Sequence, residues 1–224
     1  MSTVRSLALA ATLLATLGAP LAGAGGAQAE TTALDPVAGT WMVRGRVLVV
    51  QPDEDARLSA GGARIPGADV GISTSVVPEL DISYFFTPNL AAELVLGVTP
   101  HKVKGTGSLG GAPIGKTLLL PPTLLAQYHF TGMGMVKPYV GAGLNYTMFL
   151  DEKARGGFTS FDLDNAVGYA LQVGVDVMLD PNWGLNLDLK KLFLSTDVSV
   201  NAGAVRGEVD IDPWLIGVGV SYRF

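Results

Sequence analysis

The sequence predicts an all-β protein, an eight-stranded antiparallel transmembrane up-and-down β-barrel. Three observations carry this expectation. After residue 40, eight stretches alternate apolar and polar residues at period two, which puts every second side chain on one face of a strand. The connections between them alternate in length, short then long, the pattern of barrels whose two rims face different compartments. An export signal precedes them.

Composition narrows the class before any element is placed. The 224 residues hold 15 Lys+Arg, 20 Asp+Glu and no Cys, for a formal net charge of −5. No basic face speaks for nucleic acid, and a disulfide framework and thiolate metal sites are excluded. Mean hydropathy is +0.37 although 16% of residues are charged. Yet no segment beyond the first thirty residues reaches the roughly 18 apolar residues of a membrane helix. Apolar content without such runs leaves two options, a very buried soluble core or membrane strands.

The N-terminus sets the compartment. Arg5 is followed by an apolar run from Leu7 to Leu17, broken at Gly18 and Pro20, and Ala27-Gln28-Ala29 offers a small-x-small cleavage site. Residues 1–29 read as a cleaved signal peptide, 30–39 as a short periplasmic segment and 40–224 as the barrel.

The strands follow in order: Trp41 to Val50, Val77 to Phe86, Leu90 to His101, Leu118 to Phe130, Lys137 to Phe149, Ala166 to Leu179, Trp183 to Leu194 and Pro213 to Phe224. The sixth alternates most cleanly, with Val167, Tyr169, Leu171, Val173, Val175 and Val177 opposing Gly168, Ala170, Gln172, Gly174 and Asp176. Their glycines and β-branched residues disfavour helix. Breaks after strands two, four and six are short; segments 52–76, 102–117, 151–165 and 195–212 are long and read as external loops.

In a soluble β-protein the apolar face would turn inward. Here the polar face carries both signs of charge, and the aromatics lie on the other face at the strand ends. Trp41, Phe86, Phe130, Trp183, Tyr222 and Phe224 mark one end; Tyr146, Tyr169, Phe193 and Trp214 mark the other. Two girdles around an aliphatic band place that face against lipid and the charges in the lumen. Closure is then required, since hydrocarbon tolerates no unpaired edge. The last strand, ending in Phe224, resembles the terminal strand read by the barrel assembly machinery.

Several segments are similar to those of the OmpW family: Trp41-Met-Val-Arg-Gly-Arg-Val-Leu-Val-Val-Gln-Pro52, the run from Pro78 to Leu94, the run from Leu120 to Phe130, Lys137-Pro-Tyr-Val-Gly-Ala-Gly-Leu-Asn-Tyr146 and Asp188-Leu-Lys-Lys-Leu192. The resemblance covers roughly residues 40 to 224. It implies an eight-stranded outer-membrane barrel associated with passage of small hydrophobic compounds. Segments 52–76 and 102–117 match little, so no ligand-gating position is carried over.

The lumen-facing residues change character with height. Near the long-loop end they are apolar: Leu48, Val50, Leu119, Leu192, Leu194 and Leu215. Lower down they are Arg44, Arg46, Asp81, Glu93, Asp176, Asp188, Lys190 and Arg223. This reads as an apolar pocket, open to the outside, above a polar plug; a lumen of eight strands holds packed side chains or one small ligand. Glycines such as Gly141 and Gly143 leave room for long neighbours such as Arg44 or Lys190.

Catalysis finds little footing. His101 and His129 sit at opposite ends of the barrel, roughly 25 Å apart in level, so they share no metal, and no nucleophile–base pair completes a triad. Asn145-Tyr-Thr147 matches a glycosylation sequon but falls within a membrane strand. No cofactor, metal or catalytic residue is expected. The expected function is passive passage of a small hydrophobic solute through the upper pocket, with sideways exit into the membrane because the plug blocks straight passage. The alternative is a non-transporting barrel whose loops adhere or act as receptors. Expected partners are the lipid bilayer, lipopolysaccharide, the solute and, during biogenesis, the assembly machinery.

Overall fold

The computed structural model describes residues 34–224. The expected signal peptide and cleavage site lie outside the described residues. Sixteen strands follow: β1 (Trp41–Gln51), β2 (Asp55–Ala60), β3 (Ala63–Arg64), β4 (Ala68–Ile72), β5 (Ser75–Phe85), β6 (Leu90–Gly97), β7 (Thr99–Gly107) and β8 (Pro113–Leu120). Then come β9 (Thr123–His129), β10 (Val136–Ala154), β11 (Phe161–Leu163), β12 (Ala166–Met178), β13 (Trp183–Phe193), β14 (Ser195–Val200), β15 (Val205–Asp210) and β16 (Trp214–Arg223).

Eight of them close a ring in the order β1-β5-β6-β9-β10-β12-β13-β16, every pair antiparallel, with β16 returning to β1. These are the eight strands that the alternation marks, each next to its neighbours in sequence. Trp41 and Phe224 exchange backbone hydrogen bonds of 3.0 and 2.9 Å, joining the first barrel strand to the last residue. The ring leaves no edge unpaired, as a hydrocarbon environment demands.

The faces divide as the sequence expects. Val47, Leu80, Leu124, Leu144, Leu171, Leu185, Leu187 and Val218 are exposed on the outside, while Arg44, Asp81, Glu93, Asp176, Asp188 and Lys190 are buried within. Trp41, Phe86, Phe130, Trp183, Tyr222 and Phe224 are exposed at one rim; at the other, Tyr169 stacks on Phe193 with ring centroids 4.6 Å apart. An aliphatic surface between aromatic belts fits a bilayer core and its two interfaces.

The long connections differ from the expected loops. They are laddered ribbons that raise the wall above the upper belt: β10-β8-β7-β4 on one side and β11-β14-β15-β2-β3 on the other. Alternation does continue there, with Val198, Val200, Val209 and Ile211 buried inward. Glycines with positive φ, such as Gly61, Gly107 and Gly157, punctuate the ribbons and make them read as loops.

The short turns are tied down locally. The Asp180 carboxylate accepts the backbone N–H groups of Asn182 and Trp183, both at 2.8 Å, which holds its pKa below the ordinary carboxylate value. With residues 1–29 read as a signal peptide, the long connections are expected to face outward. Single cysteines at Arg64, Ser108, Thr159 and Ala204 should therefore react with an impermeant thiol reagent on intact cells, and cysteines at Asn89 and Asn182 should not. The reverse pattern would invert the topology.

Candidate functional site: an apolar cavity above an ionic plug

β1 carries the two arginines around which the lumen is organised. Arg44 grips Asp176 of β12 through Nε and Nη2 at 3.1 and 2.7 Å, and its Nη1 meets Glu93 Oε2 of β6 at 2.5 Å and Ser83 Oγ of β5 at 2.8 Å. Arg46 Nη1 lies 2.9 Å from Glu79 Oε1 and 2.5 Å from Asp81 Oδ2, both on β5. Its Nε donates to Asn186 Oδ1 of β13 at 2.6 Å. Lys190 of β13 completes the set, 2.9 Å from Glu79 and 2.7 Å from Asp188.

Neutral groups bridge these ion pairs. The Tyr139 hydroxyl of β10 donates to Asp188 Oδ2 at 2.7 Å, and Gln172 Nε2 reaches Glu93 and Asp188 at 2.9 and 2.8 Å. Arg44 also lies over the Tyr139 ring, 5.0 Å from its centroid. Six of the eight barrel strands are thus cross-braced, and the lumen is filled at this level. Below it, His129 stacks between Tyr139 and Phe85, and Phe85 packs with Met42 and Ala91. Asp35 of the N-terminal segment forms an ion pair with Lys137 at the lower mouth.

Above the plug the lumen is apolar. A cavity of about 130 Å³ is lined by all six leucine and valine positions that the sequence picks out: Leu48, Val50, Leu119, Leu192, Leu194 and Leu215. Glu79 and Lys190 form part of its lining, and His101 and Thr117 interrupt its wall. A His101 ring nitrogen sits 2.7 Å from the Ser73 carbonyl. Higher up, Ile65, Leu109, Phe158 and Val205, one from each long connection and each half-buried, also line the cavity. Single apolar residues between glycines gave no periodic signal.

The ladder beside the cavity has a gap. Ladder pairs run from Leu90↔Tyr128 to Val95↔Thr123, stop, and resume in the same register at Thr99↔Leu119. Between them, Leu96, Gly97 and Val98 face Leu120, Pro121 and Pro122, with no ladder pair among the described residues. Two consecutive prolines supply no N–H, so the ladder cannot close there. Gly97, Thr99, Pro121 and Thr123 border this gap and also line the cavity. The sequence reading carried two unbroken strands through it.

Seven of the eight plug residues come together in the network. Arg223 does not: it lies lower, donating Nη1 to the Leu34 carbonyl at 2.9 Å, because its partner in register is Met42 at the barrel's lower end. Leu119 is half-buried, whereas the other five upper positions are buried. Tyr139 was missed; the signal was its inward phase on the fifth strand. It pairs with Gly174, where a Cβ would lie 2.3 Å from the phenol ring, so only glycine admits it. The glycines make room for Tyr139, for Gln172 beside Gly141 and for Arg46 beside Gly217, rather than for Arg44 or Lys190. His101 and His129 stay apart, as expected.

A closed eight-stranded barrel with a lipid-compatible exterior and a polar interior is the architecture of an outer-membrane protein. The OmpW family matches residues 37–224, and the chain belongs to that family. An uncharacterized outer-membrane protein of Sinorhizobium fredii is 47% identical over 94% of this chain and 95% of its own. The dibenzothiophene metabolism operon protein PahQ of Pseudomonas aeruginosa is 31% identical over 82% and 88%. The crystal structure of the outer membrane protein OprG from Pseudomonas aeruginosa superposes with a TM-score of 0.80 at 30% identity, covering 85% of this chain and 98% of that one. The protein resides in the outer membrane.

Proposed function

We propose that the barrel conducts small hydrophobic molecules passively from outside, through the upper cavity and sideways into the membrane through the gap between β6–β7 and β8–β9. One observation carries this reading: an apolar cavity sits directly on a lumen-filling ionic plug and shares its border residues with an unladdered stretch of wall. A desolvated apolar molecule gains nothing by going down, since crossing the plug means separating buried ion pairs, whereas the gap leads to hydrocarbon. The cavity's roughly 130 Å³ compares with the ~150 Å³ apolar cavity that holds benzene, so one ring-sized molecule fits at a time. A relative named for a dibenzothiophene metabolism operon points to the same solute class.

The test is uptake of a hydrophobic probe into vesicles bearing the folded barrel. Leu48→Gln and Leu192→Gln place an unpaired amide in the cavity, at about 1–3 kcal/mol, which is roughly five- to 150-fold in probe affinity. Gly97→Leu puts a side chain at the border that the cavity and the gap share, where a Cβ meets only the Pro78 carbonyl, at 3.8 Å, and should slow uptake. Heat-modifiable gel mobility confirms that each variant is folded. Undiminished uptake in both glutamine variants would remove the cavity from the route, and undiminished uptake in Gly97→Leu would remove the gap.

A further inference from the structure

We infer that the outer face of the β7–β8–β10 ribbon is a binding site for the phosphorylated head of an outer-leaflet glycolipid, the lipid A part of lipopolysaccharide. The inference needs the ribbons to face outward but is independent of what the cavity carries.

Three lysines on adjacent strands stand in one cross-strand row. Lys102 of β7 pairs with Lys116 of β8, and Lys116 pairs with Lys153 of β10. Like charges directly opposite one another destabilise a sheet, so this row is costly unless an anion lies on it. A bulge helps to make it. The register shifts between Leu150 and Lys153, where Asp151 takes a φ of 50°, and the extra residue brings Lys153 rather than Glu152 into the outward row. The Glu152 carboxylate is engaged instead by the backbone N–H of Leu163 at 2.8 Å.

The height of the row matches a lipid head. The next outward row below it is Pro100–Leu118–Leu150, apolar and continuous with the lipid-facing surface. One step of two residues, roughly 7 Å along the strand, therefore leads from acyl-chain surface to lysine. Lys104 and Arg155 flank the row, lining the groove beside it. Among the described residues, Lys102, Lys104, Lys116 and Arg155 have no carboxylate within ion-pairing distance; Lys153 has Asp151 at 2.5 Å. The two carboxylates of the groove keep their charge but face backbone donors. Glu54 accepts the N–H of Ile72, and Asp69 those of Ala56 and Val70. On the opposite ribbon the outward charges are mixed, with Arg57 3.9 Å from both Glu208 and Asp210. An apolar row under a surplus of cations complements acyl chains under sugar phosphates.

The test uses the mature barrel folded into phosphatidylcholine vesicles containing a trace of bisphosphorylated lipid A, then extracted into mild detergent, with retained glycolipid counted by native mass spectrometry. The parent protein should retain it. Lys102→Gln/Lys116→Gln/Lys153→Gln should retain at least about tenfold less, since each basic residue at an anionic lipid surface contributes about fivefold. Arg57→Gln/Arg206→Gln, on the other ribbon, should match the parent. Lipid A stripped of phosphate should not be retained. In phosphatidylcholine alone the triple variant should be at least as stable as the parent, because repulsion has been removed. Equal retention by the triple variant, equal retention of dephosphorylated lipid A, or displacement by millimolar inorganic phosphate would each overturn the assignment. So would a loss of stability in the triple variant without glycolipid.

Discussion

Arg44→Leu is expected to destabilise the folded barrel by about 3–5 kcal/mol, the range seen when one partner of a buried ion pair is removed. The side chain is fully buried and hydrogen-bonds to three β-strands other than its own. Its loss leaves Asp176 with only the Asn186 amide, and Glu93 with Ser83, Gln172 and a more distant Arg46 at 3.8 Å. Leucine fills part of the volume but answers neither charge. Asp176→Leu should cost a similar amount by exposing the same pair from its other side. The double variant should cost less than the sum, because contacting partners do not act independently. The measurement is reversible denaturant unfolding of vesicle-inserted barrels, followed by heat-modifiable mobility. Additive effects, or a single-variant cost below about 1 kcal/mol, would mean that the plug is not held by these charges.

The plug and the cavity share one construction. Successive inward positions along β1 change from Arg44 and Arg46 to Leu48 and Val50, and β13 changes from Asp188 and Lys190 to Leu192. The boundary is a single layer: Glu79 and Lys190, paired at 2.9 Å, touch the cavity floor with their edges. Lys190→Gln should therefore change stability more than probe binding. A rigid polar floor under an apolar chamber lets the ribbons and the gap vary without disturbing the braced barrel below. The four half-buried side chains from the long connections and the unladdered wall all lie above it.

Much of this was legible in the sequence because a membrane strand writes both faces in a two-residue code. A one-residue slip would put charge into lipid, so the phase of each strand is fixed by composition alone. That is why Leu48, Leu192 and Leu215 could be assigned to the upper lumen, and Arg44 and Asp176 to the lower. The residues that escaped lack such a constraint. The height of Arg223 depends on where β16 meets β1, which alternation does not record. Phe161 lines the cavity from a ribbon whose glycine-rich spacing reads as loop. Pro121 and Pro122 were visible as residues that cannot donate to a ladder. Within a run of alternating leucines they were passed over, although a proline pair in a strand marks a break.

The inside–outside assignment itself has a decisive substitution. Leu187 lies on the outer face of β13 between Val218 of β16 and Val175 of β12, four residues from Trp183 and six from Phe193, hence near the middle of the apolar band. Leu187→Arg should cost about 2–4 kcal/mol in a bilayer, the penalty for a cation at the midplane of a barrel's lipid face. Its neighbours Leu185, Leu189 and Val218 offer no counter-charge, and both aromatic belts lie too far for the guanidinium to reach water without deforming the lipid. The same arginine placed at Val76, near the upper end of β5, should cost much less, about 0–1 kcal/mol. If Leu187 faced a soluble protein's interior instead, arginine there would be harmful in detergent and lipid alike. If it faced water, the change would be harmless in both. A penalty that appears in lipid, shrinks in short-chain detergent micelles and falls toward the rims is the signature of a side chain against hydrocarbon. A cost that does not vary with depth would overturn the orientation of every strand at once, because all eight share the same phase.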